Sequence, residues 1–301
     1  MTPDLVSAVI ASYNMGRYLG TALDSVLAQD YRPLQVIVVD DGSTDETESI
    51  LAGYRDREGL QVIRQANLGQ TSAKNRGLSV ATGKYVAFCD ADNVWLPGKL
   101  TRQVQLIEER PGVAVVYGDV TLIDGAGRPR PTPKVRRYSG RITRPLLFDN
   151  FVTFNTALVL RAAIEECGGF DPALRMAIDY DLWLRLSTRY EFRYVPETFA
   201  QYRVWEGQMS RNLEGRFENA FEMMARFFAA HPEAVSERDR NAAWAHSLVS
   251  RARWRLRDGR RDEAWSDLRQ ALRHRWWDRR AWQTVARGLS APSRAGERGR
   301  S

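Results

Sequence analysis

The sequence predicts an α/β protein in which a mostly parallel sheet, with helices on both faces, is followed by an all-helical region. Two observations lead to this fold class. In the first 118 residues, apolar runs rich in Val and Ile alternate with segments whose apolar residues have the helical period. From about Glu214 onward, the apolar residues recur only with the helical period. Near-continuous apolar runs are typical of strands that are buried on both faces of a sheet.

The first two strands are each followed by a helix. "LVSAVIASYN" predicts a buried strand, and "LGTALDSVLAQ" predicts a helix after it. "LQVIVVDDGS" repeats the strand pattern, ends at Asp40 and Asp41, and turns at Gly42. Ser43 and Glu46 match a capping box, which predicts that Ser43 caps the second helix.

The third and fourth strands continue the alternation. "GLQVIRQ" predicts the third strand and precedes the segment "GQTSAKNRGLSVATG". "KYVAFC" predicts the fourth strand, which ends in Asp90, Ala91 and Asp92. Pro97 is a suitable first residue for the next helix, over "PGKLTRQVQLIEERPG". The pattern then becomes irregular in "GAGRPRPTPKVRRYSGRITRP", a long Pro/Arg/Gly-rich loop of the kind that often carries or covers a site.

Size and composition indicate a folded protein with one large domain and an appendage. The chain has 301 residues, of which 44% are hydrophobic. It contains no run of 18 apolar residues and no basic N-terminal region, so neither a membrane span nor a signal peptide is expected. The expected location is therefore the cytoplasm.

Positive charge is concentrated in the last third of the chain, where residues 201–301 carry 21 Lys/Arg against 13 Asp/Glu. A solvated helical face is the commoner meaning of such a bias. No recognisable nucleic-acid-binding module accompanies it, so we expect no nucleic-acid partner. A Trp/Arg-rich cluster near the end suggests peripheral contact with an anionic membrane at its inner face, through Trp276, Trp277, Arg279, Arg280 and Trp282.

Three pairs of acidic residues stand out: Asp40/Asp41, Asp90/Asp92 and Asp179/Asp181. In open parallel sheets, ligands bind beyond the carboxyl ends of the strands, where the first two pairs are expected to lie. Carboxylates one residue apart repel each other unless a cation or hydrogen-bond donors offset their charge. Mg²⁺ or Mn²⁺ prefers such oxygen ligands. The alternative, that Asp92 and Asn93 only cap a turn, stays open.

Several segments carry a resemblance to a known family. The order of these segments is that of family 2 glycosyltransferases of the GT-A (Rossmann-like) fold: "VSAVIASYN", "VIVVDDGSTDET", "NLGQTSAKNRGL", "ATGKYVAFCDADN", "CGGFDPALRMAIDYDLWLRL" and "VPETFAQYRVWEGQMS". The resemblance covers roughly residues 5–210. It implies a glycosyltransferase domain over 1–212, with a nucleotide-sugar half over 1–118 and an acceptor half over 119–212. Residues 213–290 then form a helical region that weakly resembles tetratricopeptide repeats, and 291–301 a disordered tail.

The resemblance also implies a donor site. One carboxylate of Asp40/Asp41, with Asp41 favoured, would bind the nucleotide base in a pocket lined by Ala11, Tyr13 and Asn14. Lys74 and Asn75 fall where the family usually has Arg-Asn, near the sugar nucleotide; the alternative for Asn75 is a structural amide. Asp90, Ala91 and Asp92 form the Asp-X-Asp element. In it, Asp92 would coordinate Mn²⁺ or Mg²⁺, and Asp90 would contact the ribose or the ion.

For the acceptor side, the resemblance implies that Asp179 is the catalytic base. The family has a Glu-Asp pair here, whereas this chain has Ile178-Asp179. Asp181 is the alternative base, but two residues further along a helix it should point elsewhere. Trp205 stands where many relatives have a histidine. It either stacks on a sugar ring or packs as a core aromatic residue.

Together these features predict an inverting, metal-dependent glycosyltransferase of polysaccharide biosynthesis. It would move a sugar from a nucleotide-diphosphate sugar to a hydroxyl of a glycan or lipid-linked glycan. Two alternatives remain at this stage. One is a catalytically degenerate sugar-nucleotide-binding subunit, because Ile178 and Trp205 depart from the family pattern. The other is a sugar nucleotidyltransferase, although "ASYNMGRYLG" lacks the Gly/Arg/Lys-rich phosphate loop that such an enzyme needs.

Overall fold

A computed structural model describes residues 3–208 and 212–290. The chain divides into two compact units, Met1–Asn219 and Ala220–Ser301. The division falls inside a helix, Leu213–Ala230. We keep the domain boundary at residue 212 as a proposal that rests on the family resemblance. The tail predicted to be disordered, 291–301, lies outside the described residues.

The first unit begins with a regular alternation of strands and helices. Its elements in order are β1 Val6–Ser12, α1 Gly16–Leu27, β2 Leu34–Asp40, α2 Thr47–Ala52, β3 Leu60–Arg64, α3 Gln70–Val80 and β4 Tyr85–Phe88. The pattern after β4 is less regular. Those elements are β5 Val94–Trp95, α4 Lys99–Glu108, β6 Val113–Asp124, β7 Pro129–Arg130, α5 Thr143–Leu146, a 3-10 helix Phe154–Thr156, β8 Leu158–Leu160, α6 Arg161–Glu166, α7 Ile178–Ser187 and β9 Glu191–Val204.

The strands form one sheet in the order β3-β2-β1-β4-β8-β6-β9-β5, with β7 added to β6. The first four strands are parallel, as predicted from their apolar runs. The second half is mixed: β8 runs antiparallel to β4 and β6, whereas β6 and β9 are parallel. Because Ser12 pairs with Asp40 in the register of β1 and β2, the carboxyl ends of these strands meet at one edge.

The core of this unit lies between the sheet and its helices. Leu19, Leu23 and Val26 of α1 are fully buried, and they belong to one apolar cluster with Ile10 of β1 and Val38 of β2. Their spacing places them on one face of the helix, so the helical period of the sequence is used to cover the sheet.

The predicted capping box at α2 is wrong. The helix begins at Thr47, so Glu46 rather than Ser43 is at the N-cap position, and the Glu46 side chain forms no capping hydrogen bond. Asp45 does this work instead, because its carboxylate accepts hydrogen bonds from the backbone N–H of Thr47 at 3.0 Å and of Gly16 at 2.9 Å. The hydroxyl of Ser43 accepts from the backbone N–H of Asn14 at 2.9 Å. The Ser43 hydroxyl, which the local pattern predicted to cap α2, is therefore used in a tertiary hydrogen bond with Asn14.

The second unit is helical. It contains the end of α8 Leu213–Ala230, then α9 Glu237–Arg257, α10 Arg261–His274 and α11 Arg279–Ser290. Small and branched apolar residues form its core, among them Ala245, Leu248, Ala252, Leu268 and Ala271. Within the described part of the chain, no helix is both long and apolar enough to cross a membrane.

Candidate active site

Asp41 lies just beyond β2 and organises the loop that leads into α3. It is 2% exposed. Its Oδ1 accepts from the backbone N–H of Leu68 at 2.9 Å and from Nε2 of Gln65 at 2.8 Å. Its Oδ2 accepts from the backbone N–H of Gly69 at 2.8 Å. Asp41 therefore holds in place the start of α3, the helix that carries Lys74.

The neighbouring residues at the ends of β1 and β2 form the rest of this edge. Asp40 accepts from the backbone N–H of Ser43 at 3.0 Å. Ala11 pairs with Val39 in the sheet, and Tyr13 follows β1 with 43% of its surface exposed. Asn14 has a left-handed backbone, with φ of 52°. The predicted base-pocket residues are thus neighbours at one sheet edge.

Asp90 lies beyond β4, and its side chain is held from two directions. Nζ of Lys74 lies 3.1 Å from its Oδ1, and Nδ2 of Asn155 donates to its Oδ2 at 2.8 Å. Oδ1 of Asn155 also accepts from the backbone N–H of Asp90 at 2.6 Å. The Lys74 ammonium is buried and lies 4.1 Å from the ring centre of Phe154. A cation and an amide therefore stabilise the Asp90 carboxylate.

Asp92 is the more buried carboxylate of the pair, at 8% exposure. Burial and the charge of Asp90 raise its pKa to about 6, although a hydrogen bond from Nε1 of Trp205 at 2.9 Å lowers it. The backbone carbonyl of Asp92 accepts from Nε of Arg203 at 2.8 Å. A buried carboxylate with a raised pKa is stabilised in its charged form by a nearby cation.

The residues present fit a hard divalent ion. Asp90 and Asp92 offer carboxylate oxygens, the ligand type that Mg²⁺ and Mn²⁺ prefer. Within residues 3–208 and 212–290, no group of three or more His, Cys, Asp or Glu side chains could hold a metal ion. An ion held by Asp90 and Asp92 would therefore need substrate phosphates and water to complete its coordination.

Asp179 lies in the first turn of α7, after Ala177 with its left-handed φ of 55°. Nδ2 of Asn150 donates to its Oδ2 at 3.0 Å. Burial raises the pKa of Asp179, and the charge of Asp90 adds to this, whereas Asn150 and the Lys74 ammonium lower it. Lys74 and Asp90, which come from distant parts of the sequence, therefore lie within electrostatic range of Asp179.

Two other sequence candidates have structural partners. Asp181 is 5% exposed and forms an ion pair with Arg185, with Oδ2 at 2.6 Å from the guanidinium. Arg185 in turn donates to the backbone carbonyl of Gly169 at 2.7 Å. The Asn75 amide pairs with the backbone of Phe170, donating at 2.8 Å and accepting at 3.0 Å. These contacts favour the structural alternative for Asn75 and make Asp181 the weaker candidate for the base.

Three polar residues at the site were not found from the sequence: Asn155, Asn150 and Arg203. Each acts on a site residue far away in the chain, Asn155 on Asp90, for example, across 65 positions. A lone Asn or Arg carries no spacing signal of its own. Only the proximity of Asn150 and Asn155 to the Pro/Arg-rich loop, which we expected to carry or cover a site, pointed to this region.

Comparison with known proteins identifies the family and the fold. The family model described as "Glycosyl transferase family 2" matches residues 7–168. An uncharacterized glycosyltransferase of Nostoc sp. is 41% identical over 122 residues, which is 40% of this chain and 38% of the relative. The match thus spans well under half of that relative's length.

Two solved structures have a similar fold. The crystal structure of S. aureus TarS 1-349 in complex with UDP-GlcNAc has a TM-score of 0.68 at 20% identity, covering 88% of this chain and 81% of TarS 1-349. The mannosyltransferase PcManGT from Pyrobaculum calidifontis, in complex with GDP-Man and Mn²⁺, has a TM-score of 0.60 at 20% identity, covering 94% and 79%. These likenesses confirm the predicted GT-A fold. Because the family model covers more than half of the chain, the protein belongs to glycosyl transferase family 2.

Proposed function

We propose that the protein is an inverting, metal-dependent glycosyltransferase that acts in polysaccharide biosynthesis. It moves one sugar from a nucleotide-diphosphate sugar to a hydroxyl of a glycan or lipid-linked glycan. The proposal is carried by one observation: Asp179 lies within electrostatic range of the Lys74–Asp90 ion pair, and Asp92 follows Asp90 by two residues. The fold-level likeness to TarS with UDP-GlcNAc and to PcManGT with GDP-Man and Mn²⁺ supports a sugar-nucleotide donor.

The donor half of the site is built to face negative charge. Asp92 and Asp90 would hold Mn²⁺ or Mg²⁺, which when bound supplies Lewis-acid stabilisation of the departing nucleoside diphosphate. Lys74 forms an ion pair with Asp90 at 3.1 Å and adds a positive charge to the same site. Asp41 and the residues beside it at the sheet edge, Ala11, Tyr13 and Asn14, would bind the nucleotide base.

Asp179 would act as the base. It accepts the proton of the acceptor hydroxyl as that oxygen attacks the anomeric carbon of the donor sugar, while the bond to the diphosphate breaks. Burial raises the pKa of Asp179, which brings its proton affinity closer to that of an efficient base at neutral pH. Attack from the face opposite the leaving group gives inversion in a single displacement.

Turnover distinguishes a catalyst from a binding subunit. Release of nucleoside diphosphate is measured from a panel of nucleotide sugars, with Mn²⁺ and with EDTA. Asp179→Asn should lower the rate at least about 100-fold, because it removes the base, and should leave donor affinity unchanged. Asp56→Asn, which changes an exposed residue in the turn after α2, is the matched control. A wild-type protein that binds donor but releases no diphosphate would instead be a binding subunit.

We also propose that the protein works in the cytoplasm on a membrane-associated acceptor, and exposed indoles in the helical unit support contact with the inner face of the membrane. Trp276, Trp277 and Trp282 are 70%, 51% and 53% exposed in and after the α10–α11 connection. Between residues 273 and 282 stand four arginines and one acidic residue, Asp278. Exposed indoles flanked by arginines are suited to an anionic lipid surface.

Vesicle sedimentation tests this surface. The protein should pellet with vesicles that contain phosphatidylglycerol and much less with pure phosphatidylcholine, and added salt should weaken the binding. The double variant Trp276→Ala/Trp277→Ala should lose most of the binding. Equal and negligible sedimentation with both lipids would exclude membrane contact and leave the glycosyltransferase proposal intact.

A further inference from the structure

Arg17 lies in the first turn of α1 and stacks on two aromatic rings. The central carbon of its guanidinium is 4.2 Å from the ring centre of Trp205 and 4.5 Å from that of Tyr18. Arg17 itself is exposed. Stacking on aromatic faces limits the directions in which a guanidinium can point, while its N–H groups stay available at the edge of the plane.

The Trp205 ring is fixed beside the proposed metal ligand. Its Nε1 donates to Oδ2 of Asp92 at 2.9 Å, and its centre is 5.8 Å from that of Tyr18. Gly207 lies so close that a Cβ there would be 2.2 Å from the Trp205 ring. Because one indole contacts both Asp92 and Arg17, the guanidinium is held next to the site where the donor diphosphate would bind its metal ion.

A second arginine, Arg203, lies on the Tyr18 ring and shows the difference between a structural and an available guanidinium. Arg203 lies 4.5 Å from the ring centre of Tyr18 and is 5% exposed. Its N–H groups donate to the backbone carbonyls of Asp92 at 2.8 Å, Asp124 at 3.2 Å and Gly125 at 3.3 Å. Arg203 is therefore used to hold the protein backbone.

Arg17 has no such commitment. In the described ranges, 3–208 and 212–290, its side chain forms no hydrogen bond and no ion pair with the protein. An exposed, oriented guanidinium with unused donors next to a metal-binding carboxylate fits an anion with two or more oxygens. The diphosphate of a sugar nucleotide has this chemistry.

We propose that Arg17 is a donor-binding residue that contacts the phosphate oxygens of the nucleoside diphosphate, with Tyr18 and Trp205 as its aromatic support. This inference rests on the proposed function, because it assumes a sugar-nucleotide donor at Asp90 and Asp92. It goes further because a protein side chain, and not only the metal ion, would then neutralise part of the negative charge of the diphosphate. Arg17 would therefore bind the diphosphate even when no metal ion is present.

Calorimetric titration of the full chain tests the assignment. UDP, GDP, UMP and GMP are each titrated with Mn²⁺ and with EDTA into wild type, Arg17→Gln, Arg17→Lys and the control Arg57→Gln. Arg57 is exposed in the connection between α2 and β3. This connection lies at the amino ends of the parallel strands, whereas the proposed donor site lies at their carboxyl ends. Arg17→Gln should bind the diphosphate of the preferred base about tenfold more weakly, with and without Mn²⁺. Arg17→Lys should recover part of the loss because it keeps the charge without the planar fork.

The pattern across ligands decides the outcome. Affinity for the matching monophosphate should change less than about twofold in Arg17→Gln, and Arg57→Gln should resemble wild type. Thermal midpoints of all variants verify that they are folded. Equal diphosphate affinity in wild type and Arg17→Gln, or an equal loss for mono- and diphosphate, would overturn the assignment alone. A wild-type protein that binds neither these nucleotides nor ADP, CDP or dTDP would overturn the proposed function and this inference with it.

Discussion

Asn155 forms two hydrogen bonds with Asp90: its Nδ2 donates to Oδ2 of the carboxylate at 2.8 Å, and its Oδ1 accepts from the backbone N–H at 2.6 Å. The amide is 1% exposed, so its orientation is set by the surrounding core. Asp90 therefore has a defined direction in the absence of any ligand. Such support of a charged side chain by a buried neighbour is a common way to preorganise a binding site.

Replacing this amide should affect both affinity and stability. We expect Asn155→Ala to weaken Mn²⁺-dependent nucleotide binding or turnover roughly 10- to 100-fold, because Asp90 loses its orientation. Stability should fall by about 1–3 kcal/mol, because the backbone N–H of Asp90 loses its partner. Calorimetry and urea denaturation measure the two effects. As a control, Asn241→Ala removes a bond to His274 in the helical unit and should leave binding unchanged. Unaltered binding in Asn155→Ala would contradict the positioning role.

Asn150 should set the acidic limb of the pH–rate profile. Its hydrogen bond stabilises the charged form of Asp179 and lowers the pKa of that carboxyl. A base acts in its deprotonated form, so activity is lost as pH falls through this pKa. In Asn150→Ala the limb should move to higher pH, and in Asn150→Asp it should move further, because the new carboxylate repels the charge of Asp179. Rates at pH 8 should change little. Identical acidic limbs in wild type and both variants would show that Asn150 does not influence the pKa of the catalytic base.

Lys99 should make stability rise with pH. It is fully buried, its Nζ has no hydrogen-bond partner within the described ranges, and it lies 4.1 Å from the ring centre of Trp95. Burial lowers its pKa from 10.5 to about 7. Between these two values the unfolded chain holds a proton that the folded protein lacks, so stability rises with pH in this window and the full cost is present below it.

The variant Lys99→Met should be more stable than wild type by roughly 2–4 kcal/mol at pH 7, and this gain should shrink towards pH 10. Urea denaturation at several pH values measures the difference. Lys84→Met is the matched control, because Lys84 is about half exposed and its pKa is raised by its ion pair with Asp4. The stability of Lys84→Met relative to wild type should not increase as the pH is lowered from 10 to 7. A constant difference between Lys99→Met and wild type at every pH would disprove the role of this ammonium.

Asp267 should be the most sensitive charged residue of the helical unit. It is 1% exposed and accepts from Arg251 at 2.6 Å and Arg255 at 2.8 Å. Removing one partner of a buried ion pair leaves an uncompensated charge, so we expect Asp267→Ala to cost about 3 kcal/mol. Glu222→Ala breaks the exposed pair with Arg226 and should cost about 0.5 kcal/mol or less. Chemical denaturation followed by circular dichroism compares them, and equal losses would contradict the difference in burial.

Local patterns were sufficient for the first four strands, but the helix predicted to begin at Pro97 begins at Lys99, after a left-handed Gly98. The strands that end at Asp40 and before Asp90 are where their apolar runs predicted, because burial on both faces demands apolar residues at every position. The prediction failed where a distant partner competed with a local one. Ser43 matched a helix cap, yet its hydroxyl is bound by the Asn14 backbone 29 residues away. A capping pattern contains no information about such a competitor.

By itself, the sequence determined the order of strands and helices, the acidic pair Asp90/Asp92 after a buried strand, and the resemblance that pointed to Asp179. Only the tertiary structure decided which groups support these carboxylates. Asn155 at Asp90, Trp205 at Asp92 and Asn150 at Asp179 are 65, 113 and 29 positions away from their partners. The physical reason is the range of the forces involved. Hydrophobic periodicity is written into neighbouring residues, whereas a hydrogen bond needs two groups within about 3 Å and only chain packing brings such distant groups together.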